Sequence, residues 1–177
     1  MTGEEYFVFK TATVVLALVF LALFAKPMSA QLIPHGNVYV GGSFASAVDV
    51  INRNDYKGWA ASAEALPFHR FTHLGLVLDG AGLYRPGVTK YNAVFGPRVS
   101  MNFGKWRPFV HAMAGTQRLT TGGIDYDPLV IDAGGGVDYK LFFRNFSWRL
   151  QADGMRTHLL SATQYDYRAS TGLVWRF

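Results

Sequence analysis

Nine charged residues lie on the polar side of segments in which apolar and polar residues alternate. They are Glu64, Asp79, Arg98, Asp132, Asp138, Lys140, Arg149, Asp153 and Arg168. Such a set of carboxylates and cations can form an ion pathway or a gate, or it can form salt bridges inside a fold. Because an unpaired buried charge is costly, we expect these residues to pair. The favoured interpretation is therefore a structural ion network.

The histidines give little support for metal chemistry. The five are His35, His69, His73, His111 and His158. None stands in an H-E-x-x-H or H-x-H arrangement, so the spacing predicts no metal site. His73 and His111 occupy positions that can face an interior, where we expect hydrogen-bonded core histidines. No motif predicts a cofactor.

One set of residues raises the possibility of an enzyme. Asp153, His158 and Ser161 fall near one end of the last two strands. In a catalytic triad, Ser161 would be the nucleophile, His158 its general base and Asp153 the residue that orients the histidine. No G-x-S-x-G motif accompanies them. We therefore predict no catalytic residues, and a lipid-modifying enzyme stays an alternative.

The elements that position these residues are strands. In residues 165–177, Tyr167, Leu173, Trp175 and Phe177 fall on one face and Arg168 on the other. Alternation of this length indicates a β-strand. The pattern recurs and predicts eight strands, at 38–46, 57–66, 71–81, 91–101, 107–118, 131–140, 146–157 and 165–177. The segment 107–118 is apolar on both faces, so its phase is ambiguous.

Loops and turns are predicted to alternate in length. We expect longer loops at 47–56, 82–90, 119–130 and 158–164, and shorter turns near 67–70, 102–106 and 141–145. Aromatic residues gather near the strand ends. Phe71, Phe103, Trp106, Phe142, Phe146, Trp148, Trp175 and Phe177 fall near the short turns, and Tyr56, Trp59, Tyr84, Tyr91, Tyr126, Tyr165 and Tyr167 near the long loops.

The apolar face of these strands is predicted to point outward. The polar face is built of small residues and isolated charges, which fit the narrow interior of an eight-stranded barrel. Two aromatic girdles around an apolar band are typical of a transmembrane barrel. Lipid offers no hydrogen-bonding partner to the backbone, and no apolar run of about 20 residues follows residue 30, so a closed sheet remains.

The N-terminal segment predicts export. Residues 11–25 carry no charge, follow Lys10 and precede Pro27-Met28-Ser29-Ala30, as in a secretory signal peptide. We expect a signal peptide at 1–30 and the barrel domain at 31–177. Without residues 1–30 the net charge of +5 is unchanged. An exported basic chain gives no reason to expect nucleic acid as a partner, and the absence of cysteine suits an oxidising compartment.

The C-terminal strand also carries a family resemblance. The ending Gly172-Leu173-Val174-Trp175-Arg176-Phe177, with the export signal and the alternating loops, resembles the small eight-stranded outer-membrane barrels of the OmpA/OmpX-like superfamily. The resemblance covers about residues 36–177. It implies that Tyr167, Leu173, Trp175 and Phe177 form the signal read by the barrel-assembly machinery.

Together these patterns predict an all-β, eight-stranded antiparallel up-and-down transmembrane β-barrel in the outer membrane. The expected partners are membrane lipids and the barrel-assembly machinery, and the expected state is a monomer without cofactors. The expected function is structural or one of surface interaction, with a plugged lumen. The alternatives are a narrow or gated pore, a lipid-modifying enzyme and a soluble ligand-binding barrel.

Overall fold

The computed structural model describes residues 35–48, 53–66, 73–143, 145–159 and 162–177. These residues form eight long strands and one short one. The strands are β1 Gly36–Val48, β2 Arg53–Ala65, β3 Leu74–Arg85, β4 Val88–Ser100, β5 Trp106–Thr121, β6 Ile124–Tyr126, β7 Leu129–Lys140, β8 Phe146–Leu159 and β9 Ala162–Arg176. Within the described ranges, no helix has the length and hydropathy needed to cross a bilayer.

The sheet closes on itself. Each long strand pairs antiparallel with two other long strands, and the first and last strands close the cylinder through pairs such as Val40 with Leu173. The short β6 pairs with the end of β5 and stands outside the closed ring. Closure satisfies backbone donors and acceptors between strands, as a lipid surrounding requires. The predicted eight-stranded antiparallel barrel is confirmed.

The two faces of the barrel carry opposite chemistry. The side chains of Leu173 and Trp175 are 46% and 40% exposed on the outer wall, whereas Asp138 and Arg168 are each 2% exposed inside. The predicted orientation of the apolar face is therefore correct. The structure also fixes the phase of β5, because Val110 lies outside, 63% exposed, and His111 lies inside.

The connections differ from the predicted ones. Residues 82–90 form no long loop, since β3 and β4 stay paired as far as Arg85 and Val88, and Gly87 turns with a φ of 77°. Likewise β5 continues to Thr121. Backbone pairing carries these strands past the apolar band, where sequence alternation gives no signal. The predicted signal peptide and the turn at 67–70 lie outside the described residues.

Most predicted girdle residues that the structure describes lie on the outer wall, whereas Phe71 lies outside the described residues and Tyr126 lies on β6. Trp59 and Tyr84 lie on the outer wall, and the Trp59 Nε1–H donates a hydrogen bond of 3.0 Å to Tyr84 Oη. The prediction that Tyr56 joins this girdle is wrong. Its ring is 1% exposed inside the barrel, because it stands three residues from Trp59 on a strand whose side chains alternate.

Candidate functional site in the barrel interior

The candidate site is the chain of polar side chains inside the barrel. We call the end at which β1 begins and β9 ends the proximal end, and the opposite end the distal end. Every second residue of each strand points inward, so charges far apart in sequence meet across the lumen. Four groups follow one another along the barrel.

The proximal group centres on Glu64. Its carboxylate accepts a hydrogen bond of 2.6 Å from Asn37 Nδ2 and lies 3.4 Å from Arg98 Nη1 and 3.7 Å from Arg107 Nη2. Arg107 also donates to Ser100 Oγ from Nε and Nη2, at 3.0 and 2.6 Å. One carboxylate is thus shared by two guanidinium groups.

The second group is a bidentate ion pair. Arg149 donates to both carboxylate oxygens of Asp138, at 2.7 and 3.0 Å, and Arg176 donates to the same carboxylate at 3.0 Å. The Arg149 guanidinium also lies 4.7 Å from the centre of the Phe109 ring and 5.0 Å from that of Tyr39. Planar stacking and paired hydrogen bonds are the contacts that suit a buried arginine.

The third group places three carboxylates around one arginine. Arg168 Nη2 lies 2.8 Å from Asp79, 2.8 Å from Asp153 and 3.6 Å from Asp132. His111 Nε2 lies 3.1 Å from the Asp153 carboxylate. All five side chains are buried. This group contains more acid than base.

The distal group ties a lysine to the end of β1. Lys90 Nζ lies 3.2 Å from Asp166 and donates a hydrogen bond of 2.7 Å to the Val48 carbonyl oxygen. Asp166 accepts a hydrogen bond of 2.7 Å from the Val48 N–H. The inward-facing Tyr56 ring lies 5.2 Å from the same ammonium group. The pair therefore covers the distal end of the network.

Eight of the nine predicted charges are buried in these groups, and one is not. Lys140 is exposed, because it is the last residue of β7 and its side chain lies beyond the closed part of the wall. The structure adds Lys90, Arg107 and Asp166 to the interior. His111 faces the interior as predicted, whereas the prediction for His73 is wrong, because this residue precedes β3 and is exposed. Lys90 falls in a predicted loop and Arg107 in the strand of ambiguous phase. Asp166 stands on the polar face of the last strand, and this position is the signal that could have found it.

Apolar side chains share the interior with the ions. Val77, Val94, Met113, Val130 and Met155 form one buried cluster. Together with the salt bridges they fill space that an open channel would need.

The predicted assembly residues lie along the last strand and directly after it. Tyr167, Leu173 and Trp175 are on the outer wall, and the Phe177 ring lies 5.3 Å from that of Trp175. The Phe177 N–H donates to the Gly36 carbonyl oxygen at 3.1 Å, and the Gly36 N–H donates back at the same distance. The C-terminal residue is thus held to the first strand.

The considered catalytic set is not assembled among the described side chains. Asp153 is engaged by Arg168 and by Gln151 Nε2, which lies 3.0 Å from each carboxylate oxygen. The side chain of His158 and the whole of Ser161 lie outside the described residues.

A closed eight-stranded sheet with an apolar outer wall and an ion-paired interior defines the class of this protein. It has the fold of a small outer-membrane β-barrel, and its apolar outer wall suits a lipid surrounding. No protein-family model matches the chain, and no curated protein matches it.

Solved structures of small barrels match the chain over nearly their whole length. Neisserial surface protein A (NspA) matches with a TM-score of 0.67 and 14% identity, over 80% of this chain and 97% of that one. The N-terminal β-barrel domain of Pseudomonas aeruginosa OprF matches with a TM-score of 0.56 and 16% identity, over 80% and 97%. Ail, the attachment invasion locus protein of Yersinia pestis, matches with 0.52 and 13%, over 81% and 98%. At these identities the likeness is one of fold.

Proposed function

We propose that this protein is a monomeric, non-conducting outer-membrane barrel that strengthens the membrane and presents its distal hairpins for surface contact. One observation carries the proposal. Arg168 on β9 binds Asp79 on β3, although β1 and β2 separate these strands in the wall. This salt bridge crosses the lumen and obstructs it.

The cost of opening the lumen supports a plug. Eight strands enclose only enough space for packed side chains. Removing one partner of a buried ion pair leaves an uncompensated charge and costs about 3–5 kcal/mol. Several such pairs would have to separate together to make a continuous water path. We infer that the native barrel stays closed.

Planar-bilayer recording tests the closed lumen. Purified barrel is refolded, its folded state is checked by heat-modifiable migration, and it is added to a bilayer under applied voltage. We expect no discrete current steps. Reproducible single-channel steps from the folded protein would refute the plug and favour the narrow or gated pore.

The surface role is proposed from the distal hairpins. The β5–β6 hairpin carries an exposed pair, Arg118 with Asp127 at 2.9 Å, and Thr120 donates a hydrogen bond of 2.7 Å to Asp125. This pairing of opposite charges suits a polar protein surface better than a polyanion. Ail has been solved in complex with the heparin analogue sucrose octasulfate. The charges of the β5–β6 hairpin do not form a purely basic surface of the kind that a polyanion would favour.

A complementation experiment separates the two roles. A strain lacking the protein is supplied with the native barrel or with a barrel whose residues 122–126 are replaced by a short Gly-Ser turn. Restoration of detergent resistance by both forms supports membrane strengthening, and surface attachment restored only by the native form supports hairpin contact. Equal behaviour of the empty, native and shortened strains in both assays would refute the proposal.

Assembly and catalysis complete the proposal. We infer that the barrel-assembly machinery reads Tyr167, Leu173, Trp175 and Phe177. The first three lie on the outer face of the last strand, and Phe177 directly follows it. We propose no catalytic activity and no nucleic-acid partner. Lipid profiles of cells with and without the protein should be identical, and a new lipid species would favour the lipid-modifying enzyme.

A further inference from the structure

One cluster inside the barrel has the donor set of a metal site. His111, Asp132 and Asp153 each offer a ligand atom, and these atoms lie within 4.8 Å of one another. His111 Nε2 is 3.1 Å from Asp153 Oδ1 and 3.8 Å from Asp132 Oδ1. An imidazole nitrogen with two carboxylate oxygens is a set that Zn²⁺ accepts.

Two of the three donor residues are buried without a hydrogen-bonding partner among the described residues, whereas Asp153 is held by Arg168 and Gln151. Asp132 is fully buried, yet neither of its carboxylate oxygens has a hydrogen-bonding partner within the described part of the chain. The same holds for both ring nitrogens of His111, which is 6% exposed. Because an unsatisfied buried polar atom is costly, such atoms call for an explanation, and an ion bound between them supplies one.

The carboxylates of Asp132 and Asp153 each direct one oxygen toward His111 and the other toward Arg168. The Oδ1 atoms of Asp132 and Asp153 face His111, while their Oδ2 atoms face Arg168 at 3.6 and 2.8 Å. Outer groups that hold the second oxygen of a ligating carboxylate orient it and tune the metal. Gln151 reaches both oxygens of Asp153 at 3.0 Å and adds a second orienting contact.

The wall makes room for this arrangement at a glycine. Gly134 lies between His111 and Asp153 in the register of β5, β7 and β8. A Cβ atom added there would collide with Asp153 Oδ1 and with the Ala152 carbonyl oxygen. The missing side chain therefore lets the carboxylate lie beside the imidazole.

Local charge favours a divalent cation. Asp79, Asp132 and Asp153 surround the single guanidinium of Arg168, which leaves two negative charges when His111 is neutral. A divalent ion neutralises this group. Arg98 lies opposite His111 in the register of β4 and β5, but it is paired with Glu64 at 3.4 Å. Arg107 and Arg176 lie in the proximal and second groups, where they contact Glu64 and Asp138.

We propose that the barrel interior binds one divalent transition-metal ion, with His111, Asp132 and Asp153 as protein ligands and Arg168 and Gln151 as positioning residues. The proposal is independent of the surface role. Its chemical class is a borderline metal ion such as Zn²⁺, because one nitrogen and two oxygen donors suit it better than an all-oxygen Ca²⁺ site.

The test uses the full barrel refolded in detergent, with and without ZnCl₂, so that access to the closed interior does not limit binding. Excess metal is removed by gel filtration, and bound zinc is measured by elemental analysis. We expect one zinc ion per chain after refolding with ZnCl₂, and loss of that ion in Asp132→Asn and His111→Gln. Asp166→Asn and His73→Gln are matched controls, and both should retain it.

Folding of each variant is checked by heat-modifiable migration. Zinc retained by folded Asp132→Asn and His111→Gln would overturn the proposal, because the ion would then be bound elsewhere. Should neither variant fold, the native chain refolded with Co²⁺ decides the matter. A tetrahedral Co²⁺ absorption spectrum at one ion per chain supports the site, and absence of stoichiometric metal overturns it.

Discussion

Replacing one lipid-facing apolar side chain by a charged one tests the orientation of the whole barrel. Leu78 is 57% exposed on the outer wall and is paired with Ala63 and Phe95. It lies in the apolar band, six residues before the girdle residue Tyr84 on the same strand. In a barrel surrounded by lipid, Leu78→Arg places a cation near the bilayer midplane.

The expected cost follows from the depth of the residue. Arginine on the lipid face costs about 2–4 kcal/mol at the midplane and about 0–1 kcal/mol near an interface. Leu78→Arg should therefore lower the folding equilibrium constant by about 30- to 800-fold, since 1.4 kcal/mol is a factor of ten. In a soluble barrel with the same wall facing water, the substitution should cost almost nothing.

The matched control lies at the distal end of the wall. Leu129 is 75% exposed, and the next outward residue of its strand, Ile131, is paired with the exposed native Arg156. Leu129→Arg should therefore cost no more than about 1 kcal/mol. Both variants are unfolded with urea in lipid vesicles and followed by tryptophan fluorescence. Equal stabilities of the two variants would refute the assigned depth and orientation.

Three further substitutions probe the interior, the wall and assembly. Arg149→Met leaves Asp138 buried without its bidentate partner and should lower the free energy of unfolding by about 3–5 kcal/mol in the same assay. Gly172→Val should cost about 1–3 kcal/mol or prevent closure, because its Cβ atom meets the Val40 carbonyl oxygen, whereas Gly42→Ala, with open space around it, should be tolerated. Phe177→Ser should slow folding by the assembly machinery, measured as the rate of appearance of the heat-modifiable form.

Each of these has its own control. Lys140→Met removes an exposed charge and should change stability by no more than about 0.5 kcal/mol. Phe142→Ser removes a fully exposed aromatic ring from a turn and should leave the assembly rate unchanged. A cost for Lys140→Met as large as that for Arg149→Met would contradict the buried pair. Slowed assembly in both phenylalanine variants would contradict a signal specific to the C-terminus.

The strand pattern is predictable because it is local. Period-two alternation places Leu173 and Trp175 on one face and Arg168 on the other, whatever the partner strand is. Alternation predicts strands poorly where apolar and polar residues no longer alternate. It places Lys90 in a loop, although β4 continues through this residue, because backbone pairing beyond the apolar band needs no hydrophobic alternation.

The sequence by itself determined a membrane-spanning closed sheet, since alternating strands with apolar outer faces and small polar inner faces have no other way to satisfy their backbone in lipid. Only the tertiary structure decided which inward charges meet. Arg168 reaches Asp79 across the lumen, and His111 lies beside Asp153 through the gap at Gly134. These contacts depend on strand register and barrel closure, which join residues far apart in the chain and leave no trace in local spacing.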